Sequence, residues 1–221
     1  MSQFSRRLAR IFRPGGRTPI VTWSIIALCI VAWALQFLLA PAFTNLLAYW
    51  PPATTVLPWT MVTYAFLHST GSIFHILLNM YSLAIVGPIL EQMLGRGRFV
   101  LLYLASAFGG AVAVLLLAPS TVVIGASGAV FGLFAAFFVV LRGLGANGTQ
   151  LLVIIVLNLV IGFLPGVNIS WQAHVGGLVV GAALGWIFQR TRGPRNRGRQ
   201  AGLVAAVLVV LLACVVARFL I

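Results

Sequence analysis

One serine, two histidines and one asparagine have the types and spacing for covalent chemistry. Ser127 lies in Gly125-Ala126-Ser127-Gly128-Ala129-Val130-Phe131-Gly132, where small residues surround a single hydroxyl at the start of an apolar segment. His174 lies in Ala173-His174-Val175-Gly176-Gly177, and His75 precedes Asn79 by four residues, so on a helix both side chains share one face. A hydroxyl, an imidazole to take its proton and donors for a developing oxyanion are the parts of acyl transfer. The usual third member is a carboxylate that orients the base. The chain has no Asp, and its one acidic residue is Glu91. That inventory excludes a Ser-His-Asp triad and leaves a dyad of Ser127 and His174. The G-x-S-x-G elbow of soluble hydrolases does not fit either, because Ala129 stands where its second glycine belongs.

The elements that must position these groups are membrane helices. Of 221 residues, 62% are hydrophobic and only 7% charged, against about a quarter charged in soluble domains. Apolar stretches near 20 residues recur, each long enough for a hydrocarbon core of about 30 Å. The first is too long for a signal-peptide core and lacks a small-residue cleavage site. Seven spans are expected: Ile20–Leu39, Ser72–Gly95, Phe99–Leu117, Val123–Leu141, Leu151–Leu164, Ile169–Phe188 and Leu203–Leu220. Ser72 is the expected N-cap of the second. Residues 40–67, uncharged and rich in Pro and aromatics (Trp50-Pro51-Pro52, Pro58-Trp59), are too broken to span. They predict a partly helical loop against the outer leaflet, where tryptophan favours the headgroup level. Cys29 and Cys214 sit in distant apolar spans and read as small buried hydrophobes, not a disulfide.

The formal charge of +13 is carried by arginine, with no lysine present. Residues 1–17 form a basic tail, and the positive-inside rule makes it cytoplasmic. With seven spans, that tail and the links at 95–98, 142–149 and 190–200 all fall inside and hold thirteen of the fourteen arginines, Arg218 lying at the outer end of the last span. Arginines between apolar spans are topology signals and anionic-lipid contacts, so nucleic acid is not an expected partner. The organisation is a tail at 1–17, a membrane domain at 18–190, a basic linker at 191–201 and a seventh helix at 202–221.

Counting at about 1.5 Å per residue from the inner ends, Ser127 lies roughly 22 Å up, and His75 and His174 roughly 24 Å. Three groups on three spans thus share a depth in the outer half of the bilayer, as one site requires. Each has a plainer reading alone. A membrane serine commonly bonds backbone, a lone histidine commonly serves structure or a proton path, and the glycines (Gly128 and Gly132; Gly177, Gly181 and Gly185) are packing surfaces. Taken jointly, small faces on the fourth and sixth spans let Ser127 and His174 approach to hydrogen-bond distance.

The ordered set Gly125-Ala126-Ser127-Gly128, His75-x-x-x-Asn79 and Ala173-His174-x-Gly176-Gly177-x-x-x-Gly181 resembles the signature motifs of rhomboid intramembrane serine proteases, over about residues 18–190. The resemblance implies an all-α integral membrane bundle of six core transmembrane helices plus one C-terminal helix. It implies cleavage of transmembrane protein substrates near the outer face, with Ser127 as nucleophile, His174 as general base and no cofactor. The oxyanion hole would comprise the Ser127 backbone N–H with His75 and Asn79. It also makes residues 40–67 the membrane-embedded first loop and the fifth span a lateral gate. His68 resembles an upstream family histidine, but stands seven residues from His75 where many relatives have five, and is assigned no catalytic role. Relatives often carry Trp-Arg in the first loop, the Arg being within reach of an acidic residue like Glu91; here Thr60 follows Trp59.

On this reading a substrate helix enters between the second and fifth spans and unwinds. Water arrives through a cavity lined by Ser72, Asn79, Ser170 and Gln172. A neutral imidazole is the base, so activity should fall as pH drops into the histidine range. Two other classes stay open: a non-catalytic membrane-protein binder on the same fold, and a transporter or channel using His75, Asn79 and His174. The shortage of polar groups in the inner halves of the spans and the absence of an inverted repeat count against the last.

Overall fold

The computed structural model describes residues 18–161 and 169–220. The basic tail and Pro165-Gly166 therefore lie outside the described residues. The architecture is an all-α membrane bundle of apolar helices: α1 (Ile20–Leu39), α2 (Ile73–Leu94), α3 (Arg96–Leu117), α4 (Ser127–Gly143), α5 (Thr149–Ile161), α6 (Trp171–Arg190) and α7 (Arg197–Leu220). Five of them, α1, α2, α3, α6 and α7, are long and apolar enough to cross a membrane; α4 and α5 are shorter apolar helices. Among the described residues there is no β-strand, only an isolated bridge between Tyr49 and Val123.

Glycine decides which helices touch most closely. A Cβ at Gly177 of α6 would overlap the Gly128 carbonyl of α4, and one at Gly181 would overlap that of Gly132. At Gly185 it would lie 2.7 Å from Ala136 Cα. The expected α4–α6 contact is therefore backbone against backbone. It extends to α3, because Gly176 meets the Gly109 carbonyl and a Cβ at Gly110 would sit 2.9 Å from the carbonyl oxygen of Ala173. In a bilayer, where lipid tails are as apolar as leucine, such close approach drives association by dispersion.

Helix ends differ from the sequence reading in instructive places. The fourth helix begins at Ser127, not Val123, because residues 123–125 are held outside it. Val123 and Tyr49 exchange backbone hydrogen bonds of 2.8 and 3.0 Å. Gly125, at φ +125°, donates its N–H to the Tyr64 carbonyl (3.0 Å). The sixth helix runs from Trp171 to Arg190, two residues later than expected, with the Ser170 hydroxyl capping its start. Ser72 precedes α2 as expected, although its side chain makes no capping bond. The seventh begins at Arg197, so part of the expected linker is helical, arginine being a good helix former.

The first loop is partly helical, with turns at Ala42–Leu47, Pro51–Ala53, Thr60–Thr63 and Tyr64–Phe66. Its anchoring does not use Glu91. Trp59 Nε1 donates to the Leu46 carbonyl and Thr63 Oγ1 to that of Leu47. Thr60 Oγ1 donates to the Leu57 carbonyl. Buried Tyr64 reaches the Ala107 carbonyl of α3 (2.9 Å). Glu91 lies at the opposite end of the bundle, where its carboxylate accepts the Val21 and Thr22 backbone N–H groups and the Thr22 hydroxyl (2.8–3.1 Å). An anion at the N-terminus of α1 satisfies orphan donors and complements the helix dipole. Both cysteines are free.

Candidate active site

Helices α2, α4 and α6 run in the same direction, and each contributes its N-terminal end to one site. His75 is the third residue of α2, Ser127 the first of α4 and His174 the fourth of α6. Ser127 Oγ and His174 Nε2 are 2.9 Å apart. For Nε2 to accept the serine proton, Nδ1 must carry the ring hydrogen. Nδ1 is buried and, among the described residues, has no hydrogen-bond partner. An aromatic face orients the imidazole instead: the Phe131 ring stacks on it with centroids 4.1 Å apart and planes 12° from parallel. Phe131 follows Ser127 by one helical turn, so a single helix supplies both the hydroxyl and the platform for the imidazole. A face of negative π charge also suits an imidazolium, worth about 0.5–2 kcal/mol.

On the other side of Ser127, His75 Nδ1 accepts the Ser69 backbone N–H (3.0 Å). That fixes the neutral ring with its hydrogen on Nε2, a donor. A methyl group at Gly125 would lie 2.8 Å from this Nε2 and 3.8 Å from Ser127 Oγ. Glycine thus keeps open the space between the imidazole and the hydroxyl, and its positive φ disfavours any side chain there. Asn79 is buried; its Nδ2 donates one hydrogen to the His75 carbonyl (2.7 Å) and keeps a second. The first intrahelical bond at the start of α4 joins Val130 N–H to the Ala126 carbonyl. The N–H groups of Ser127, Gly128 and Ala129 therefore have no acceptor within the helix. The positive ends of three helix dipoles meet here, a setting that favours developing negative charge.

The structure therefore brings together all four residues singled out from the sequence. Ser170 and Gln172 lie beside them at the head of α6, hydrogen-bonded to one another (3.3 Å). His68 is also close, its ring 5.3 Å from that of His75. It is fully buried in the segment between the first loop and α2, and its N–H donates to Gln36 Oε1 of α1. Burial, followed by the neighbouring His75, pushes its pKa down to about 4 against the opposing pull of the Phe66 backbone. Phe131 and Tyr64 were missed. The signal for Phe131 was its one-turn spacing from Ser127. Tyr64 had none, since only the folded loop sets its hydroxyl against Gly110 and Gly128.

An α-helical multi-pass membrane protein with such a cluster at one end of its bundle is the class defined by fold and site. A Rhomboid domain model matches residues 57–191, which is more than half the chain, and the chain belongs to the rhomboid family. It is similar to RHOMBOID-like protein 6, mitochondrial, of Arabidopsis thaliana (39% identity over 139 residues, 58% of this chain and 43% of the relative). It resembles rhomboid protease GluP of Bacillus subtilis at 38% over 164 residues, 70% of this chain and 30% of the relative. The putative rhomboid protease YdcA of the same bacterium matches at 32% over 182 residues, 76% of this chain and 88% of the relative. The chain thus spans less than half the length of several relatives it matches, GluP among them.

Proposed function

We propose that the protein is an intramembrane serine endopeptidase that cleaves transmembrane protein substrates with a Ser127–His174 dyad. The observation that carries this reading is the 2.9 Å contact between Ser127 Oγ and His174 Nε2. Ser127 Oγ attacks the scissile carbonyl carbon while its proton passes to Nε2. The oxyanion accepts hydrogen bonds from the Ser127 N–H, His75 Nε2–H and the second hydrogen of Asn79 Nδ2. Each such donor is worth roughly 3 kcal/mol in other hydrolases. Collapse of the tetrahedral intermediate expels the amine, which takes the proton back from Nε2. Water, activated by the same nitrogen, then hydrolyses the acyl-enzyme. No cofactor enters the scheme. The arginine-rich end faces the cytoplasm and the site faces outward. Substrate enters beside α5.

The test is labelling with a fluorophosphonate, which reacts with activated serines. The intact protein should label, and Ser127→Ala and His174→Ala should not. Equal labelling of all three would remove the dyad, and no labelling of the intact protein would leave a non-catalytic binder on the same fold.

A further inference from the structure

The arginine-rich end holds a cavity that the catalytic reading does not use. It measures about 360 Å³ and lies between α3, α6 and the start of α7, within the range of roughly 300–1,000 Å³ typical of small-ligand sites. Arg98 and Arg197 line it together with apolar Leu101, Phe188, Val204 and Leu208. Along α7 the lining runs from Arg197 to Leu208, about 16 Å of helix. Cation and apolar surface therefore belong to one groove.

Its cations lack a protein counter-charge. Glu91 is the chain's one acidic side chain, and it is engaged by the start of α1 and by Arg96 (3.8 Å). Arg98 is held in place: its Nε donates to Gln200 Oε1 (2.8 Å), Gln200 Nε2 bonds the Thr191 hydroxyl, and the guanidinium lies 5.9 Å over the Phe188 ring. Its two Nη groups remain for an anion, in the fork geometry that suits phosphate. A side chain at neighbouring Gly97 would meet nothing within 4 Å, so the mouth is open. Above it, only 6% of the α7 segment is buried in the protein.

We propose that this groove is a binding site for one anionic phospholipid, whose phosphate pairs with Arg98 and Arg197 and whose acyl chain lies along the apolar side of α7. Charge complementarity selects an anionic head, and the apolar wall selects a molecule with a hydrocarbon tail. The lipid would join α7 to α3 and α6, where protein contacts are sparse. The inference does not depend on the catalytic reading.

The experiment is native mass spectrometry of the full chain released from nanodiscs of mixed dioleoyl phosphatidylglycerol and dioleoyl phosphatidylcholine. The wild type should retain one phosphatidylglycerol in preference to phosphatidylcholine. Arg98→Gln/Arg197→Gln should bind it roughly tenfold or more weakly, as expected for lost charge-assisted hydrogen bonds. Arg142→Gln/Arg195→Gln, with the same net charge, should retain it. Leu208→Trp, which fills the apolar half and keeps both arginines, should weaken retention even if the double variant fails to fold. Thermal unfolding of each variant in detergent reports folding separately. Equal loss in both arginine pairs would reduce the effect to diffuse surface charge. Equal retention of the two lipids, full retention by Leu208→Trp, or displacement by glycerol 3-phosphate at comparable concentration would each overturn the lipid site.

Discussion

Two regions of this molecule solve the problem of holding helices together in lipid in opposite ways. In α3, α4 and α6, glycines bring backbones into direct contact, and half or more of the α3 and α6 spans is buried. At α7, 6% is buried and large side chains such as Val209, Val210 and Leu212 face outward. The difference follows what each region must do. Under the proposed mechanism a serine and an imidazole must stay within hydrogen-bond reach, and a displacement of about 1 Å can cost 100-fold in rate. That demands an inflexible contact with little side-chain freedom. A helix that meets mostly lipid has no such constraint.

The largest expected effect of breaking the tight region is Gly181→Leu. The new side chain would overlap the Gly132 backbone, and the nearest atoms belong to main chain that cannot rotate away. Destabilisation of about 3 kcal/mol or more is expected, together with loss of fluorophosphonate labelling, measured by thermal unfolding in detergent and by gel fluorescence. Wild-type stability in this variant would mean that α4 and α6 are not locked by their glycines.

Gly125→Ala sharpens the comparison by attacking the site and not the packing. It adds a methyl group 2.8 Å from His75 Nε2 at a residue with φ +125°. Strain of about 1–3 kcal/mol is expected, with turnover of a model transmembrane substrate falling by about 100-fold in protein that still folds. Near-normal turnover would remove the gap between His75 and Ser127 from the mechanism.

The segment that joins the first loop to α2, between these extremes, can be probed through pH. His68 has a folded pKa of about 4, below the ordinary value near 6.5. The unfolded chain therefore binds a proton first as pH falls. The stability associated with neutral His68 is complete above about pH 6.5 and is lost between there and pH 4, at up to about 1.4 kcal/mol per pH unit. Melting curves across that window should fall less steeply for His68→Leu than for the wild type. Identical slopes would mean that the ring is hydrated and not buried. The smallest effect belongs to the loose region: Leu212→Ala should change stability by no more than about 0.5 kcal/mol, since the leucine is 54% exposed.

Much of this was legible before any coordinates. Composition required a membrane bundle, arginine spacing marked one end of it, and the helical repeat placed His75 with Asn79. The inventory of one acidic side chain excluded a Ser-His-Asp triad, and the glycine spacing on α4 and α6 announced their contact. These are properties of local chemistry and of a fixed rise per residue, so the chain carries them openly. The start of α4 was not legible: Val123 and Ile124 are as apolar as the helix that follows, and only the pairing of Val123 with Tyr49 and of Gly125 with Tyr64 keeps residues 123–125 outside it. The use of Glu91 was hidden for the same reason, because its partners at residues 21 and 22 are about 70 positions away.

The sequence by itself determined the inventory: which groups are available for chemistry, their similar distance from the inner ends of three apolar helices, and that the chain holds no aspartate. The tertiary structure alone decided how the His174 ring is held. Phe131 stacks on His174 because α4 and α6 pack backbone to backbone, bringing a ring and an imidazole 43 residues apart in the chain to 4.1 Å. Contact across such a distance depends on helix packing, to which no local spacing rule applies.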